Sequence, residues 1–304
     1  MTRFFLKNDS NIEELLKDFV LYCEAKNISK NTIKTYKGQV KHFVTRYKDQ
    51  KLETIDKDTI IDYIIYLKER NISDTSIKSY ISSLRTLLYY GMNENRIKPF
   101  DISLPRAEKK PKEIYSIEEL ERLLKKPPIR KESFSDYRMW VLCNYLLATG
   151  NRISTALNIK VEDINFQEQT ILLRKNKDKQ THIIPLTKKM LFILREYIRY
   201  RGTKGYLFCN NSNGKWDLRA CQTNQKAYNL KRGVTKHGFH RFRHTFAKMW
   251  IMNGGDIFRL QKMLGHKDLT MVKEYVNMFD KDIVDGLEEV NPLNFIQTKI
   301  KPLK

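Results

Sequence analysis

Apolar residues recur at spacings of three and four from residue 11 to residue 91, a pattern that predicts amphipathic helices. One helix begins after Asn11 and ends near Asn27, and Ser29 caps a second. Asp56 caps a third, and a fourth stops at Gly91. Four helices with short connections form a small bundle. The apolar stripes are Ile12, Leu15, Leu16, Phe19, Val20, Tyr22 and Cys23 in the first helix; Ile33, Tyr36, Val40, Phe43 and Val44 in the second; Ile60, Ile61, Ile64, Ile65 and Leu67 in the third; and Ile77, Tyr80, Ile81, Leu84, Leu87 and Leu88 in the fourth.

The middle of the chain combines helical patterns with a strand pattern. Ser116-Ile117-Glu118-Glu119 is a capping box that opens a helix. A second, strongly apolar helix runs up to Thr149-Gly150. Two runs rich in β-branched residues, 170–173 and 181–186, predict the strands of a hairpin with a cationic tip between them.

Helical patterns return after this hairpin. Helices are predicted over 191–200 and 222–229, and a central stretch from His240 leads into another. Asp256 caps a helix that runs to Leu264, where Gly265 closes it in a left-handed conformation. The predicted fold class is therefore mainly α with a small antiparallel β-sheet, arranged as a four-helix N-terminal domain and an α+β second domain.

A proline-containing segment separates the two halves of the chain. Residues 96–112 carry three prolines and no helical stripe, and proline removes a backbone donor and restricts the backbone angles. A chain of 304 residues is long enough for two domains, each with its own core. We expect a helical domain over 1–95, an extended linker over 96–112 and a second domain over 113–304. Such a linker permits the two domains to close around a bound partner.

The charge balance indicates a polyanionic partner. The chain has 57 lysines and arginines against 35 aspartates and glutamates, a formal net charge of +22. Nucleic acid ranks ahead of an anionic membrane as the partner of so basic a protein. The polar faces of the second and fourth helices are basic and rich in hydroxyls, which suits DNA contact but is also explained by solvation. These faces carry Lys30, Asn31, Thr32, Lys34, Thr35, Lys37 and Lys41, and Thr75, Ser76, Lys78, Ser79, Ser82, Ser83 and Arg85.

The cysteines and apolar runs point to a soluble protein of the cytoplasm. Cys23, Cys143, Cys209 and Cys221 lie far apart, without metal-site spacing, and are interpreted as reduced and mostly buried thiols. The apolar run at the start of the chain is too short for a signal peptide, and no later run spans a bilayer. We therefore expect a cytoplasmic, nucleoid-associated protein without a membrane partner.

Residues 240–275 supply the side chains of a phosphate site. His240-Arg241-Phe242-Arg243-His244-Thr245-Phe246-Ala247 is followed by Leu264-Gly265-His266 and then by Tyr275. Tyr275 shares a predicted helical face with apolar residues at spacings of three and four. A tyrosine on such a face is usually part of a core. A catalytic role for Tyr275 is therefore inferred from the whole set of motifs and not from this residue alone.

The order and spacing of these motifs resemble the signature of the tyrosine recombinases, the phage-integrase and Xer-like family. The His-x-x-Arg-His-Thr-Phe-Ala motif, the Leu-Gly-His motif and a tyrosine nine residues later are all present. Upstream, Ala148-Thr149-Gly150-Asn151-Arg152-Ile153-Ser154 resembles the first arginine box of the family. The four-helix segment then corresponds to the core-binding domain and the rest to the catalytic domain.

The resemblance implies a catalytic set of Arg152, Lys177, His240, Arg243, His266 and Tyr275. The two arginines would neutralise non-bridging phosphate oxygens, since a guanidinium binds two oxygens at once and stays charged. Tyr275 would attack phosphorus and form a 3′-phosphotyrosyl bond, which keeps the bond energy, so that neither ATP nor metal is required. His266 would donate to a phosphate oxygen, and His240 would accept the tyrosine proton or hydrogen-bond the phosphate.

The lysine assignment follows from the family's β-hairpin, which carries a catalytic lysine eight residues before the closing proline. That count selects Lys177 as the acid for the leaving 5′-oxygen, with Lys175 as the alternative and a simple phosphate-binding loop as a third interpretation. Thr155 stands where relatives usually have an acidic residue that helps to hold a histidine. His244 is interpreted as structural, and His237 is left without a role.

The resulting hypothesis is a site-specific DNA recombinase or integrase that requires no cofactor. It would act as a homotetramer on double-stranded DNA with paired recombination sites, in integration or excision of a mobile element or in dimer resolution. A DNA-bending accessory protein is a possible partner, and the tail from about residue 280 would dock on a neighbouring protomer. The alternatives are a catalytically inactive DNA-binding regulator or architectural protein on the same fold, and a type IB-like topoisomerase.

Overall fold

A computed structural model describes residues 11–108, 113–128, 134–174 and 181–265. The chain divides into two compact units, residues 1–111 and residues 112–304, which we call the first and second units. Among the described residues, no helix is both long and apolar enough to cross a membrane. All four cysteines are buried free thiols, as predicted.

The first unit contains the four predicted helices. They are α1 (Ile12–Ala25), α2 (Lys30–Arg46), α3 (Lys57–Glu69) and α4 (Asp74–Asn93), with a short 3-10 helix at Leu52–Thr54 before α3. The predicted caps Ser29 and Asp56 are confirmed, because their side chains accept hydrogen bonds from free amides in the first turn of α2 and α3. Asn11 caps α1 in the same way, although the sequence analysis did not assign it as a cap. Ser73 caps α4 in the same way. These contacts place each helix start where an unpaired amide finds a side-chain acceptor.

Three details of the first-unit prediction were wrong. In α1, Tyr22 of the predicted apolar stripe is exposed. Helix α4 does not stop at Gly91 but continues to Asn93. A Cβ at Gly91 would lie 2.9 Å from Ile97 Cδ1 and 3.0 Å from Leu15 Cδ2, so this glycine permits close packing instead of ending a helix. In α3, Ile61 and Ile65 are exposed, and the buried positions of that helix are Ile60, Tyr63 and Leu67.

The segment that follows α4 has neither helix nor strand over residues 96–108. Ile97 and Ile102 are nevertheless buried in the core of the first unit. Tyr89 Oη donates to the Asp101 carboxylate at 3.0 Å, which ties the segment to α4. The first part of the predicted linker therefore packs as part of the first unit.

The second unit is built around the apolar helix α6 (Phe134–Thr149), whose residues are largely buried. Helix α5 (Ile117–Leu124) begins at Ser116 with the predicted capping box. The helices that follow α6 are α7 (Ile153–Ala156), α8 (Lys188–Arg201), α9 (Leu218–Lys231), α10 (Phe239–Met252) and α11 (Ile257–Leu264). Helices α8, α9 and α10 all pack against α6, which makes α6 the centre of this core.

A small antiparallel sheet lies beside these helices. Strand β2 (Thr170–Leu173) pairs with β3 (His182–Pro185), and the register joins Leu173 to His182. This hairpin is the one that the sequence predicts. A two-residue strand β1 (Ile164–Asn165) pairs with the other edge of β2 and was not predicted, because two residues carry no periodic signal. The fold class, mainly helical with a small antiparallel sheet, is confirmed.

Candidate functional site

Gly150, at the end of α6, allows three segments of the second unit to meet. Its φ is +63°, a left-handed conformation that glycine adopts without steric cost. A Cβ at this position would lie 2.3 Å from Phe246 Cδ1 on α10 and 2.7 Å from Leu264 Cδ2 on α11. The absence of a side chain at Gly150 therefore lets the chain turn from α6 toward Arg152 directly against α10 and α11.

Arg243 is held at this meeting point by two backbone carbonyls. It lies in α10 and is only 4% exposed. Its Nη1 donates to the carbonyl oxygen of Gly150, and its Nη2 donates to that of Leu264, each at 2.9 Å. Leu264 is the last residue of α11, so Arg243 neutralises part of the negative end of that helix. The two bonds set the plane of the guanidinium.

Helix α11 ends as the sequence predicts. The Asp256 side chain accepts from the amide of Arg259 at the start of the helix, at 2.8 Å. Gly265 adopts the left-handed conformation, with φ 62° and ψ 46°, and its amide bonds to carbonyls of the last turn. The chain thus leaves α11 next to the carbonyl that Arg243 binds.

Arg152 and Arg243 line one recess of the second unit, which we call the arginine recess. The recess lies between the turn after α6, the strands β2 and β3, helix α10 and the end of α11. Among the described residues, its lining is rich in donors and contains no carboxylate. These lining residues are Asn151, Arg152, Thr155, Leu173, His182, Ile184, Arg243, Lys262, Met263, Leu264 and Gly265. Such a set of side chains suits an anion.

Buried hydrogen bonds support the turn that carries Arg152. Asn151 Nδ2 donates to Tyr145 Oη at 2.6 Å, and the backbone amide of Asn151 donates to Thr149 Oγ1 at 3.3 Å. Burial raises the pKa of Tyr145 above its usual range, which keeps this phenol neutral. The hydrogen bonds that hold this turn are therefore made by uncharged groups. The positive charge of the turn comes from the Arg152 side chain.

Arg152 stands at the N-cap position of α7, and the side chain of Thr155 lies on the same short helix. Free amides at a helix start attract phosphate in longer helices. With only four residues in α7, the aligned peptide dipoles contribute little, so the guanidinium itself carries that attraction. Thr155 is buried and lines the arginine recess, where relatives are expected to have an acid.

His240 lies in the first turn of α10, three residues before Arg243, and is exposed. Residues three apart in a helix are neighbours on its surface. His240 is not among the residues that line the arginine recess. The imidazole rings of His240 and His244 are stacked, with their centroids 6.4 Å apart.

Three predicted site residues, Lys177, His266 and Tyr275, lie outside the described residues, as does the alternative Lys175. In contrast, His182 lines the arginine recess although the sequence assigned it only to a strand. The available signal was the alternation of β3, because His182 and Ile184 face the same side of the strand and Ile184 is buried.

Other cations near the motif are engaged in ion pairs. Arg241 donates to Glu113 at 2.6 Å, and Lys236 donates to Glu119 at 3.0 Å. Arg174, after β2, bonds to the buried carboxylate of Asp163. None of these three cations lines the arginine recess.

In the first unit, Gln39 joins the polar faces of α2 and α4. Its Nε2 donates to Ser79 Oγ at 2.9 Å, and its Oε1 accepts from Ser83 Oγ. The buried Ser83 is thus a packing contact instead of a candidate DNA contact. The lysines of both helices are exposed, at positions 30, 34, 37, 41 and 78. We refer to these exposed lysines of α2 and α4 as the basic surface of the first unit.

Comparison with known proteins accounts for both units. The model of the phage integrase family matches residues 115–282, and that of the phage integrase N-terminal SAM-like domain matches residues 16–95. Tyrosine recombinase XerA of Pyrococcus furiosus is 28% identical over 284 residues, covering 92% of this chain and 95% of that protein. Tyrosine recombinase XerD of Staphylococcus saprophyticus is 28% identical over 298 residues, covering 93% of this chain and 99% of that protein.

Solved structures show the same fold. XerH site-specific recombinase bound to a palindromic difH substrate has a TM-score of 0.71 at 22% identity, covering 92% of this chain and 83% of that one. A lambda integrase dimer bound to a COC′ core site has a TM-score of 0.71 at 18% identity, covering 86% of this chain and 97% of that one. The matched domains, together with the two arginines in one recess, show that the chain belongs to the phage integrase family and is a site-specific DNA recombinase of the tyrosine recombinase class.

Proposed function

We propose that the protein cleaves and rejoins DNA strands through a 3′-phosphotyrosyl intermediate formed on Tyr275. The observation that carries this proposal is the presence of Arg152 and Arg243 in one recess whose described lining contains no carboxylate. A phosphodiester repels nucleophiles through its charge, and two guanidiniums at one site offset that charge as it grows in the transition state.

Arg243 would act as a preorganised phosphate ligand. Its guanidinium plane is fixed by the carbonyl oxygens of Gly150 and Leu264 before DNA arrives. A donor that is already oriented loses little free energy to reorganisation during the reaction. Arg152 would bind the phosphate from the turn after α6, on another wall of the recess.

The connection between β2 and β3 supports Lys177 as the acid for the leaving oxygen. Leu173 and His182, at the two ends of this connection, both line the arginine recess. Lys177 is four residues from one end, a span of at most about 14 Å in an extended chain. Lys175 remains the alternative within the same connection.

The remaining assignments come from the family motif. Tyr275 would attack phosphorus and release the 5′-hydroxyl, so that the bond energy is kept for rejoining. His266, which follows the recess residue Gly265 in the chain, would donate to a phosphate oxygen. His240 would accept the tyrosine proton or hydrogen-bond the phosphate.

DNA binding by the first unit would use the basic surface of α2 and α4. Phosphate contacts of exposed lysines provide affinity and register, and other residues of the same helices would approach base edges. We further propose a homotetramer on paired sites, acting in integration or excision of a mobile element or in dimer resolution. A DNA-bending accessory protein and nucleoid association belong to the same proposal.

The test is covalent trapping. Fragments of genomic DNA that remain bound to the protein after denaturation are sequenced to identify the target, and a nicked version of that target is then used as a suicide substrate. We expect an adduct with the unaltered protein, and none with Tyr275→Phe, which should still shift DNA on a gel. Tyr200→Phe, at an exposed tyrosine of α8, is the matched control and should keep the adduct. An adduct that persists in Tyr275→Phe would contradict the proposal.

The trapped sites also separate the biological settings. Sites at the ends of a mobile element would indicate integration or excision, and one site per replicon would indicate dimer resolution. Relaxation of supercoiled plasmid that lacks the trapped sequence would instead indicate a topoisomerase.

A further inference from the structure

His182 places an imidazole in the arginine recess. It is the first residue of β3, and its backbone is fixed by pairing with Leu173 of β2. Its side chain lies on the same face of the strand as that of the buried Ile184, and both line the recess together with Arg152 and Arg243. The ring is therefore positioned by the sheet and not by a loop.

One ring nitrogen of His182 is buried and has no hydrogen-bond partner among the described residues. Nε2 is inaccessible to solvent and makes no hydrogen bond within the described part of the chain. A buried polar atom without a hydrogen bond is destabilising, so such an atom in a native structure calls for an explanation. A ligand that enters the recess and bonds to Nε2 provides one.

The charges around His182 indicate what kind of ligand this is. The recess also contains Arg152, Arg243 and Lys262, and no carboxylate occurs among its described lining residues. A cation would be repelled there, and an oxyanion would be attracted. An imidazole that carries hydrogen on Nε2 is a donor to such an oxygen, whether or not Nδ1 is also protonated.

We propose that His182 is a further phosphate-binding residue of this enzyme, which donates from Nε2 to one non-bridging oxygen of the scissile phosphate. The inference rests on the proposed function of the recess. In this role His182 touches the reacting group and stabilises the charge on that oxygen beside the guanidiniums of Arg152 and Arg243. It forms no covalent bond and transfers no proton.

The test compares the strand-cleavage rate of His182→Ala and His182→Gln with that of the unaltered protein, in single turnovers at saturating DNA. We expect Ala to lower the rate by about tenfold to a hundredfold, which is less than the hundredfold to thousandfold typical for loss of a single oxyanion donor, because Arg152 and Arg243 remain. Gln should recover much of the rate, because its amide places a donor near the position of Nε2. DNA affinity on gels should change by less than about twofold, since most of it comes from other phosphates.

A stereochemical readout distinguishes phosphate contact from a structural role. In each of the two methylphosphonate diastereomers of the scissile linkage, a different non-bridging oxygen is replaced by methyl. We expect the rate difference between the unaltered protein and His182→Ala to disappear for one diastereomer and to persist for the other. Equal losses with the phosphodiester and both diastereomers, or no loss at all, would overturn the inference. His237→Ala, at an exposed histidine outside the recess, is the matched control and should cleave normally.

A binding measurement makes the outcome independent of cleavage. Inorganic phosphate is titrated into the full-length protein labelled with ¹⁵N-histidine, and the signal absent from His182→Gln identifies residue 182. A saturable shift of its Nε2 resonance is expected, and a resonance that does not move would overturn the inference. Failure of the unaltered protein to form any adduct is a separate result, which would count against the proposed function.

Discussion

Arg243 Nη1 donates a 2.9 Å hydrogen bond to the carbonyl oxygen of Gly150, which lies two residues before Arg152. This single contact joins the two arginine-bearing segments, which are separated by about ninety residues in the chain. Because Gly150 also packs against Phe246 and Leu264, the position of one arginine depends on the backbone that presents the other.

Substitution of Gly150 should therefore damage both the fold and the site. Gly150→Ala introduces left-handed strain of about 1–2 kcal/mol and overpacking of about 1–3 kcal/mol, because the new Cβ would meet Phe246 Cδ1 at 2.3 Å. We expect the free energy of unfolding, measured by urea denaturation, to fall by about 2–5 kcal/mol, together with a loss of cleavage.

Gly233→Ala is the control for the Gly150 experiment. Gly233 has a similar φ of +68°, but no atom of the described residues lies within 4 Å of a Cβ placed there. Gly233→Ala should show the strain alone, about 1–2 kcal/mol, and normal cleavage. Equal destabilisation by the two variants would show that contact with α10 and α11 is not what requires glycine at position 150.

Replacement of Arg243 by lysine should keep the charge but lose the geometry. The single ammonium group of lysine cannot bond to the carbonyl oxygens of both Gly150 and Leu264 and also bind two phosphate oxygens, as the guanidinium can. We expect Arg243→Lys to destabilise the protein by about 1–3 kcal/mol and to reduce cleavage by at least about a hundredfold. Thermal denaturation and single-turnover cleavage measure the two effects.

Arg241→Lys provides the matched comparison for Arg243. Arg241 lies in the same turn of α10, but it pairs with Glu113 and does not line the arginine recess. A lysine can maintain such a partly exposed ion pair, so cleavage should stay within about twofold of normal. A similar loss in both variants would indicate that the recess is not the reaction centre.

The role of Lys177 as an acid can be tested by changing the leaving group. A sulfur in place of the 5′-bridging oxygen leaves without protonation, so it removes the need for an acid. We expect Lys177→Ala to cleave ordinary DNA slowly and the sulfur-containing substrate at nearly the normal rate. If Lys175→Ala shows this rescue instead, the assignment moves to Lys175.

The basic surface of the first unit should govern the salt dependence of binding. Each lysine that neutralises a phosphate contributes about 0.9 to the slope of log K against log salt. Lys34→Ala on α2 and Lys78→Ala on α4 should each reduce that slope by about one, as measured by fluorescence anisotropy. Lys68→Ala removes an equally exposed charge from α3 and should change the slope less. Equal changes in all three variants would indicate a general charge effect.

Local sequence patterns determined much of the fold. Apolar periodicity located the helices of the first unit, and the caps Ser29 and Asp56 marked two of their starts, because capping depends on residues within one turn. The same periodicity was misleading for Ile61 and Ile65, which are exposed. Whether an apolar side chain is buried depends on which helix packs against it, and no local pattern contains that information.

Motif spacing identified Arg152 and Arg243 as catalytic candidates. A glycine at position 265 predicted that α11 ends in a left-handed conformation, as it does. Only the tertiary structure decided that both arginines line one recess and that His182 joins them. The reason is physical: backbone angles and caps are set by neighbours in the chain, whereas the recess is formed when α6, β3, α10 and α11 pack together. Residues on these elements are far apart in sequence, and the absence of a side chain at Gly150 is what allows them to meet.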